Sequence, residues 1–276
     1  MSRAIRIVQG RFGRVALLDM DGHLVTHAHR HCHVLFKAGG SDAAFEVRGQ
    51  LCPLSAKGAV LVNSWEPHAY VHSPGTPSTL ILALYIEPEW FADIDRGFRG
   101  SGDPGFFSAP WVAVPTEVAV LVERISQALA HGAALEQDEL GRLMCEIGAR
   151  FSRRQLLRPR AGATPRVVDF RVRRSLEWLE DNPAAPIDGG SLAGVAGLSR
   201  AQFYARFREE TDLTPTLFRN VVRMERAIDL LAAGPEPLGA VSAGLGFPAQ
   251  SHFTRFFRQH LGITPTEYRR KLALVA

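Results

Sequence analysis

The chain has 276 residues, 46% of them apolar, and its 32 Lys and Arg against 28 Asp and Glu leave a net charge of +4. That length allows two domains, each with its own buried core. No stretch reaches the roughly 20 uninterrupted apolar residues of a membrane span, and Arg3, Arg6, Arg11 and Arg14 interrupt the N-terminus where a signal peptide would be apolar. A cytoplasmic protein with no membrane partner is therefore expected. The three cysteines, Cys32, Cys52 and Cys145, have no paired metal-type spacing and argue against a disulfide framework. Basic and acidic residues balance at 10 each over residues 1–115 but stand at 15 against 12 over 166–276, and Arg150, Arg153, Arg154, Arg158 and Arg160 form a run with no acidic member. Such an excess points to nucleic acid only when a docking element accompanies it.

From residue 5 to about 90 the chain reads as all-β. Short apolar or alternating runs (Arg14–Leu18, Val34–Lys37, Phe45–Val47, Ala59–Val62 and Thr79–Tyr85) are separated by Gly, Pro, Asp and Asn, the pattern of a sandwich or barrel. Within it, His23, His27, His29, His31 and His33 make up half of the ten histidines of the chain. Alternate side chains of a strand share a face, so His27, His29, His31 and His33 would project together. Neutral imidazoles grouped in this way are ligands for Zn²⁺, Fe²⁺, Ni²⁺ or Cu²⁺.

At Thr116 the period becomes helical. Val118, Leu121, Val122, Ile125 and Leu129 form one stripe, and Leu140, Leu143, Met144 and Ile147 form another, with a break at His131-Gly132. Either the barrel of the same chain or a second copy of the helix must cover that apolar surface. Residues 153–165 mix Arg, Pro, Gly and Ala without period and read as a linker. A helix marked by Val167, Val168, Phe170, Val172, Leu176 and Leu179 follows and ends before Asn182-Pro183.

The C-terminal third repeats itself. Gly197-Leu198-Ser199-Arg200-Ala201-Gln202-Phe203-Tyr204-Ala205-Arg206-Phe207, then Leu213-Thr214-Pro215 and Arg219, is echoed by Gly246-Phe247-Pro248-Ala249-Gln250-Ser251-His252-Phe253-Thr254-Arg255-Phe256-Phe257, then Ile263-Thr264-Pro265 and Arg269. A period of this length marks a supersecondary unit used twice, and each copy reads as helix, Gly-containing turn, helix: the helix-turn-helix pattern. Ser199 is placed to cap the second helix of the first copy. Phe203 and Phe207, and likewise Phe253 and Phe257, fall four apart on an inner face. Outward positions hold Ala201, Gln202, Tyr204, Ala205 and Arg206 in the first copy and Gln250, Ser251, His252, Thr254 and Arg255 in the second. Amide, hydroxyl and guanidinium groups read base edges or clamp phosphates, and small apolar groups meet thymine methyls. Between the copies, Leu217, Val221, Met224, Ile228 and Leu231 mark a helix over Thr216 to Ala232, a rod of about 25 Å that could set two readers in successive major grooves.

The segment with Arg223-Met224-Glu225-Arg226-Ala227, Gly246-Phe247, Gln250-Ser251-His252-Phe253-Thr254-Arg255, Gly262-Ile263-Thr264-Pro265 and Tyr268-Arg269 resembles the DNA-binding signature of AraC/XylS-type bacterial transcription regulators over roughly residues 166–272. The resemblance implies a seven-helix domain reading DNA from Ala201, Tyr204 and Ala205 in the first unit and Gln250, Ser251, His252, Thr254 and Arg255 in the second. Three departures are visible. The first helices of both units are glycine-rich, Ser242 stands where the family usually has Ala, and Pro248 replaces the usual Ser cap. The N-terminal segment resembles the small β-barrels called cupins, whose first motif His-x-His then Glu and Gly is matched by His27, His29 and Gly40, with His33 in place of Glu; Gly58 and His68 fit the second motif with one residue fewer. In regulators of this type the barrel commonly holds an effector and the helices after it make a dimer.

These readings combine into an α+β multidomain chain: a cupin-like effector-binding barrel over 1–115, a helical hairpin for dimerisation over 116–152, a linker over 153–165, and a double helix-turn-helix domain over 166–276. The expected function is sequence-specific DNA binding and transcription regulation, as an activator in the family pattern. The expected partners are double-stranded DNA, a small-molecule effector, a second copy and RNA polymerase. The effector site is placed in the barrel: either a metal at His27, His29, His33 and His68, or an organic molecule in a metal-free apolar interior, which is preferred; a hydrogen-bonded histidine core is the third reading. A metal-dependent cupin enzyme fused to a DNA-binding domain is the alternative function, resting on the histidines alone, since no nucleophile triad, phosphate loop or carboxylate pair accompanies them. No enzyme is expected.

Overall fold

The computed structural model describes residues 2–153, 169–186 and 189–275. Two compact units emerge, one of residues 1–157 with 256–276 and one of 158–255. The first contains strands β1 (Arg3–Gly10), β2 (Gly13–Met20), β3 (Cys32–Gly40), β4 (Ala43–Val47), β5 (Gln50–Leu54), β6 (Gly58–Val62), β7 (His68–Val71), β8 (Thr79–Ile86), β9 (Trp111–Ala113) and β10 (Leu272–Leu274). They form not one closed barrel but two sheets, a seven-stranded one in the order β10-β1-β2-β8-β3-β6-β9 and a three-stranded one in the order β5-β4-β7, a cupin-like arrangement. Every expected run is a strand; β5, with Pro53 in it, and the three-residue β9 lack the apolar alternation that would have marked them.

Helices α1 (Pro88–Ile94), α2 (Thr116–Ala130) and α3 (Gln137–Phe151) belong to the same unit. The apolar stripe of α2 and α3 packs on the chain's own sheet: Val118, Val122, Ile125, Leu129, Leu140, Leu143, Met144 and Ile147 share one core with Val15, Val34, Phe36, Leu82 and Leu84. At about 1.5–3 kcal/mol for each large apolar side chain fully buried, this stripe is consumed within the chain. Of the two covers open to the stripe, the chain's own sheet is the one observed, and Val120 on α2 stays exposed. Helices on one face and the second sheet near the other explain why β6 is buried at every position and β3 and β8 at most of theirs.

The second unit contains α4 (Phe170–Asp181), α5 (Gly189–Ala196), α6 (Arg200–Thr211), α7 (Pro215–Ala233) and α8 (Leu238–Gly244); α9 (Gln250–Leu261) begins in it. Asp169 caps α4 by accepting from the Arg171 N–H. Val172 and Leu179 are buried as the periodicity demands, but Phe170, at the first position of the helix, is 65% exposed. Leu176 is half-buried, while Val167 and Val168 lie outside the described residues, as does the expected linker beyond Arg153, with Arg154, Arg158 and Arg160. Thr214 caps α7 and Pro215 occupies its first turn, where a missing N–H costs nothing. At 19 residues α7 is about 28 Å long.

The C-terminal segment departs from a single domain over 166–276. Residues 256–276, comprising the last part of α9, α10 (Pro265–Lys271) and β10, fall in the first unit. There β10 pairs in parallel with β1, Ile7 opposite Leu272 through Gln9 opposite Leu274, and the Glu267 carboxylate accepts from the Ala4 N–H at 2.8 Å. The edge of β1 would otherwise present unpaired backbone groups, which a short extra strand satisfies.

Candidate nucleic-acid interface and histidine site

Each reading helix is held by aromatic residues and leaves its polar side to solvent. In α6, Phe203 and Phe207 are fully buried, with ring centroids 5.5 Å apart in an edge-on contact, and Phe207 meets Phe218 of α7 at 6.0 Å. Ala201, Gln202, Ala205 and Arg206 are exposed and Tyr204 is half-buried. Ser199 accepts from the Gln202 N–H at 3.4 Å while the Gln202 Oε1 accepts from the Ser199 N–H at 3.2 Å, a reciprocal cap that satisfies two of the free donors at the helix start. Gln202 was expected to face DNA; its carbonyl oxygen is instead engaged in the cap, which leaves its amide NH₂ at the helix N-terminus, where phosphates bind.

In α9, Phe253 and Phe257 are fully buried, Phe253 against Phe247 at 5.5 Å and Phe257 against Tyr268 of α10 at 5.6 Å. Gln250, Ser251, His252 and Arg255 are exposed and Thr254 is half-buried. All five candidate residues thus fall on the first two turns of one helix, clear of the aromatic face. The turns that aim the two helices share a left-handed glycine, Gly197 at φ 64° and Gly246 at φ 73°. The second turn is also crowded: a Cβ on Gly246 would lie 2.2 Å from the Ala184 carbonyl oxygen. Arg223 of α7 braces the same region, with its Nε donating to the Pro183 carbonyl at 2.7 Å and its guanidinium over the Phe247 ring at 4.9 Å; burial, with the neighbouring Arg219, lowers its pKa to about 10.

The histidines of the first unit divide. His27, His29 and His68 are buried and each brings one ring nitrogen to within 4.8 Å of the others. His27 pairs with His68 in an isolated antiparallel bridge between the segment before β3 and the start of β7, so backbone pairing aligns the two rings, 4.4 Å apart. His33 adjoins the triad, its ring 5.3 Å from His29 and 5.5 Å from His68, but it lies outside the tight set and stacks on Tyr85 at 4.0 Å. His31 does not share the face. The chain is not a strand before Cys32, the alternation fails there, and His31 Nε2 meets the Glu87 carboxylate at 2.9 Å.

Second-shell hydrogen bonds set the tautomers of two members. A carbonyl can only accept, so His27 Nδ1 carries the proton it donates to Val25 O at 2.8 Å, and His68 Nδ1 the one it donates to Glu66 O at 2.9 Å. Both rings therefore turn an Nε2 lone pair away from the backbone. Neither ring nitrogen of His33 nor Nε2 of His68 has a hydrogen-bond partner among the described residues. Burial pulls all four rings below the usual imidazole pKa, His68 to about 4 and the others well below 6.5, with neighbouring histidines adding to the shift of His27, His29 and His33. Neutral and convergent, with His27 and His68 oriented by backbone carbonyls, this donor set fits a nitrogen-preferring transition metal. The nearby Glu66 is no ligand: its carboxylate accepts from the Asn63 N–H at 2.7 Å and from Arg48 at 2.9 Å.

The interior beside the histidines is small. A cavity of about 20 Å³ is lined by His27, His33, Leu35, Phe45, Tyr70 and Leu261, among others, roomy enough for about one water and far below the several hundred Å³ of an organic-ligand pocket. A larger groove of about 380 Å³ lies elsewhere, against α2, with Phe36, Lys37, Leu80, Val122 and Gln127 in its walls. The surroundings of the histidine site were not readable in advance. Tyr85 and Arg14, whose guanidinium lies 3.8 Å over the Tyr85 ring, carry a signal only as inward positions of β8 and β2, and His260, 6.2 Å from His27, carries none.

Comparison with known proteins places the C-terminal region. Residues 192–271 match the family described as a helix-turn-helix domain. The HTH-type transcriptional regulator MtrA of Neisseria gonorrhoeae is 27% identical over 103 residues, 37% of this chain and 34% of that protein. The probable transcriptional regulator LumQ of Photobacterium leiognathi is 34% identical over 91 residues, 33% of this chain and 37% of that protein. The matched stretches thus span about a third of the length of these curated relatives. Among solved structures, ToxT of Vibrio cholerae has the same fold at 12% identity, with a TM-score of 0.56 over 94% of this chain and 97% of that one. The repeated Phe-anchored units, their glycine turns and these matches agree: residues 192–271 are a helix-turn-helix domain similar to those of HTH-type transcriptional regulators.

Proposed function

We propose that this protein is a sequence-specific DNA-binding transcription regulator that reads two major-groove segments with α6 and α9 and answers to an effector bound among the strands of the first unit. The observation that carries the reading is the duplicated scaffold: two helices with buried Phe pairs and exposed polar faces, joined by a rod of about 28 Å, which is of the order of the 34 Å between successive major grooves. Ala201, Gln202, Tyr204, Ala205 and Arg206 form the first reading face and Gln250, Ser251, His252, Thr254 and Arg255 the second. With two alanines in the first, the second supplies more of the hydrogen-bonded base recognition. A second copy of the chain and RNA polymerase are the further partners that the family pattern supports.

The effector class follows from the site. An interior cavity of about 20 Å³ beside three convergent imidazoles favours an ion over an organic molecule. Zn²⁺, Ni²⁺, Cu²⁺ or Fe²⁺ would be held by His27, His29 and His68, with His33 next to them, and such an ion would supply a fixed dication that orders its ligands.

The test is selection of duplexes from a random library by the full chain, followed by affinity measurement at fixed ionic strength, since phosphate contacts make affinity steeply salt-dependent. A defined sequence motif is expected. Arg255→Ala should weaken the selected site by about 10- to 100-fold, the 1–3 kcal/mol of a base contact, and Tyr204→Ala by less. Binding without sequence preference overturns the reading.

A further inference from the structure

The last turn of α9 is built into the surroundings of the histidine site. The Val25 N–H donates to the Gln259 carbonyl at 3.1 Å, two residues from His27. The His260 ring stands edge-on to His27 with centroids 6.2 Å apart, and it is buried. Its Nδ1 donates to the Phe256 carbonyl one turn back at 2.8 Å, which holds the ring on the inner side of the helix. Leu261 lines the small cavity together with His27 and His33. After it, Gly262 passes so close to Met20 that a Cβ there would lie 2.5 Å from the methionine methyl.

The same helix carries Gln250, Ser251, His252, Thr254 and Arg255 at its other end. With 12 residues it is about 18 Å long and continuous, so a change of direction imposed at Gln259 and His260 reaches the reading residues as a rigid-body tilt. The anchors β10 on β1 and Glu267 on Ala4 do not involve the histidines, so the tail stays attached while the end of α9 responds. The His27 ring is oriented by its bond to Val25 O and by packing; an ion held at its Nε2 would fix the ring from both sides, and with it residues 25–29.

We infer that the histidine site is the control point of the second reading helix: a divalent transition metal held by His27, His29 and His68 sets the orientation of α9 through the His27–His260 contact and the Val25–Gln259 hydrogen bond. This rests on the proposed reading of α9 as a DNA reader and of the histidines as the effector site. A ligand shifts a conformational equilibrium only by its differential affinity for the two states, and here the differential lies in one ring and one backbone bond. Coupling of the usual allosteric size changes affinity about tenfold. By linkage, operator DNA changes the affinity for the ion by the same factor.

The experiment uses the full chain without a histidine tag, Zn²⁺ as the probe, and the duplex recovered by selection, at constant ionic strength. One Zn²⁺ per chain is expected by calorimetry, with a change of about tenfold in operator Kd on loading. His68→Ala should remove both. His260→Ala should bind Zn²⁺ within about threefold of the parent yet show less than about a twofold change in operator Kd on loading, because it removes the ring contact and leaves the three ligands in place. In the parent chain, backbone amides of 256–261 should exchange more slowly with solvent on loading, a readout that needs no variant. Failure to select any duplex sinks the DNA-binding reading itself. DNA binding without stoichiometric Zn²⁺ sinks the metal site. Zn²⁺ binding with an unchanged operator Kd, unchanged exchange at 256–261, or a full tenfold change surviving in His260→Ala overturns the coupling alone.

Discussion

The helix-turn-helix repeat and the histidine site hold their polar chemistry in opposite ways. In the repeat, four phenylalanines are buried so that Gln250, Ser251, His252, Arg255 and their counterparts on α6 face solvent. In the first unit, His27, His29, His33 and His68 are buried and neutral: His27 and His68 bond to backbone carbonyls, His33 stacks on Tyr85 and His29 meets the same ring edge-on. On the proposed function, the contrast follows from the size of what each would bind. A duplex can be met only by a surface, so affinity and sequence reading depend on how firmly the scaffold aims exposed groups. An ion has to be surrounded, so its ligands are desolvated and kept uncharged, and their orientation is set by second-shell hydrogen bonds.

The largest expected effect breaks the repeat at its buried side. Phe257→Ala should cost about 3–5 kcal/mol, read as a fall in the denaturant midpoint, and should abolish operator binding although no reading residue is altered. The acid limb of stability comes next and should belong to the histidine site. His68 has a pKa of about 4 in the folded protein against 6.5 in the unfolded chain. Above pH 6.5 both states are neutral there and stability is whole. As pH falls below 6.5 the unfolded chain takes up the proton and the folded one does not, so stability declines until about pH 4. His68 alone accounts for about 3 kcal/mol of that loss, and His27, His29 and His33, shifted in the same direction, add to it. Metal-free protein titrated between pH 7 and 4 should show this decline, and His68→Phe should reduce it; a flat profile would mean that the rings are solvated.

The smallest effect sharpens the comparison inside the repeat. Gly197 and Gly246 share a left-handed backbone, but nothing lies within 4 Å of a Cβ at Gly197, whereas one at Gly246 meets the Ala184 backbone at 2.2 Å. Gly197→Ala should cost about 1 kcal/mol, the penalty of that conformation, and Gly246→Ala about 2–3 kcal/mol, because backbone rather than a side-chain tip must move. Equal losses in the two unfolding curves would show that Ala184 yields freely.

Much of the molecule was readable before folding because its signals are local. The spacing of Phe203 and Phe207 with Ser199 before them, the Thr-Pro pairs opening α7 and α10, and the apolar stripes of α2 and α3 all follow from the 3.6-residue period and the chemistry of helix ends, which act within a turn or two. The DNA-reading candidates were legible for the same reason: once the inner Phe face is known, the outward positions follow. Even so, the pull of Gln202 into the cap shows that an outward position is not always an unengaged one.

The histidine site was legible only in part. Alternation grouped His27, His29 and His33 but wrongly added His31, because the segment before Cys32 is held by a single bridge to β7 rather than by a ladder, and the two-residue period lapses there. His68 joins through that bridge from more than forty residues away. Residue types and spacing by themselves determined the repeat, the helix boundaries and the supply of imidazoles, since each depends on neighbours along the chain. Tertiary packing alone decided that α2 and α3 cover their own sheet, that the cavity beside the histidines is small, and that His260 arrives beside His27. Those outcomes depend on which distant surfaces exclude water from one another, and no local period encodes that.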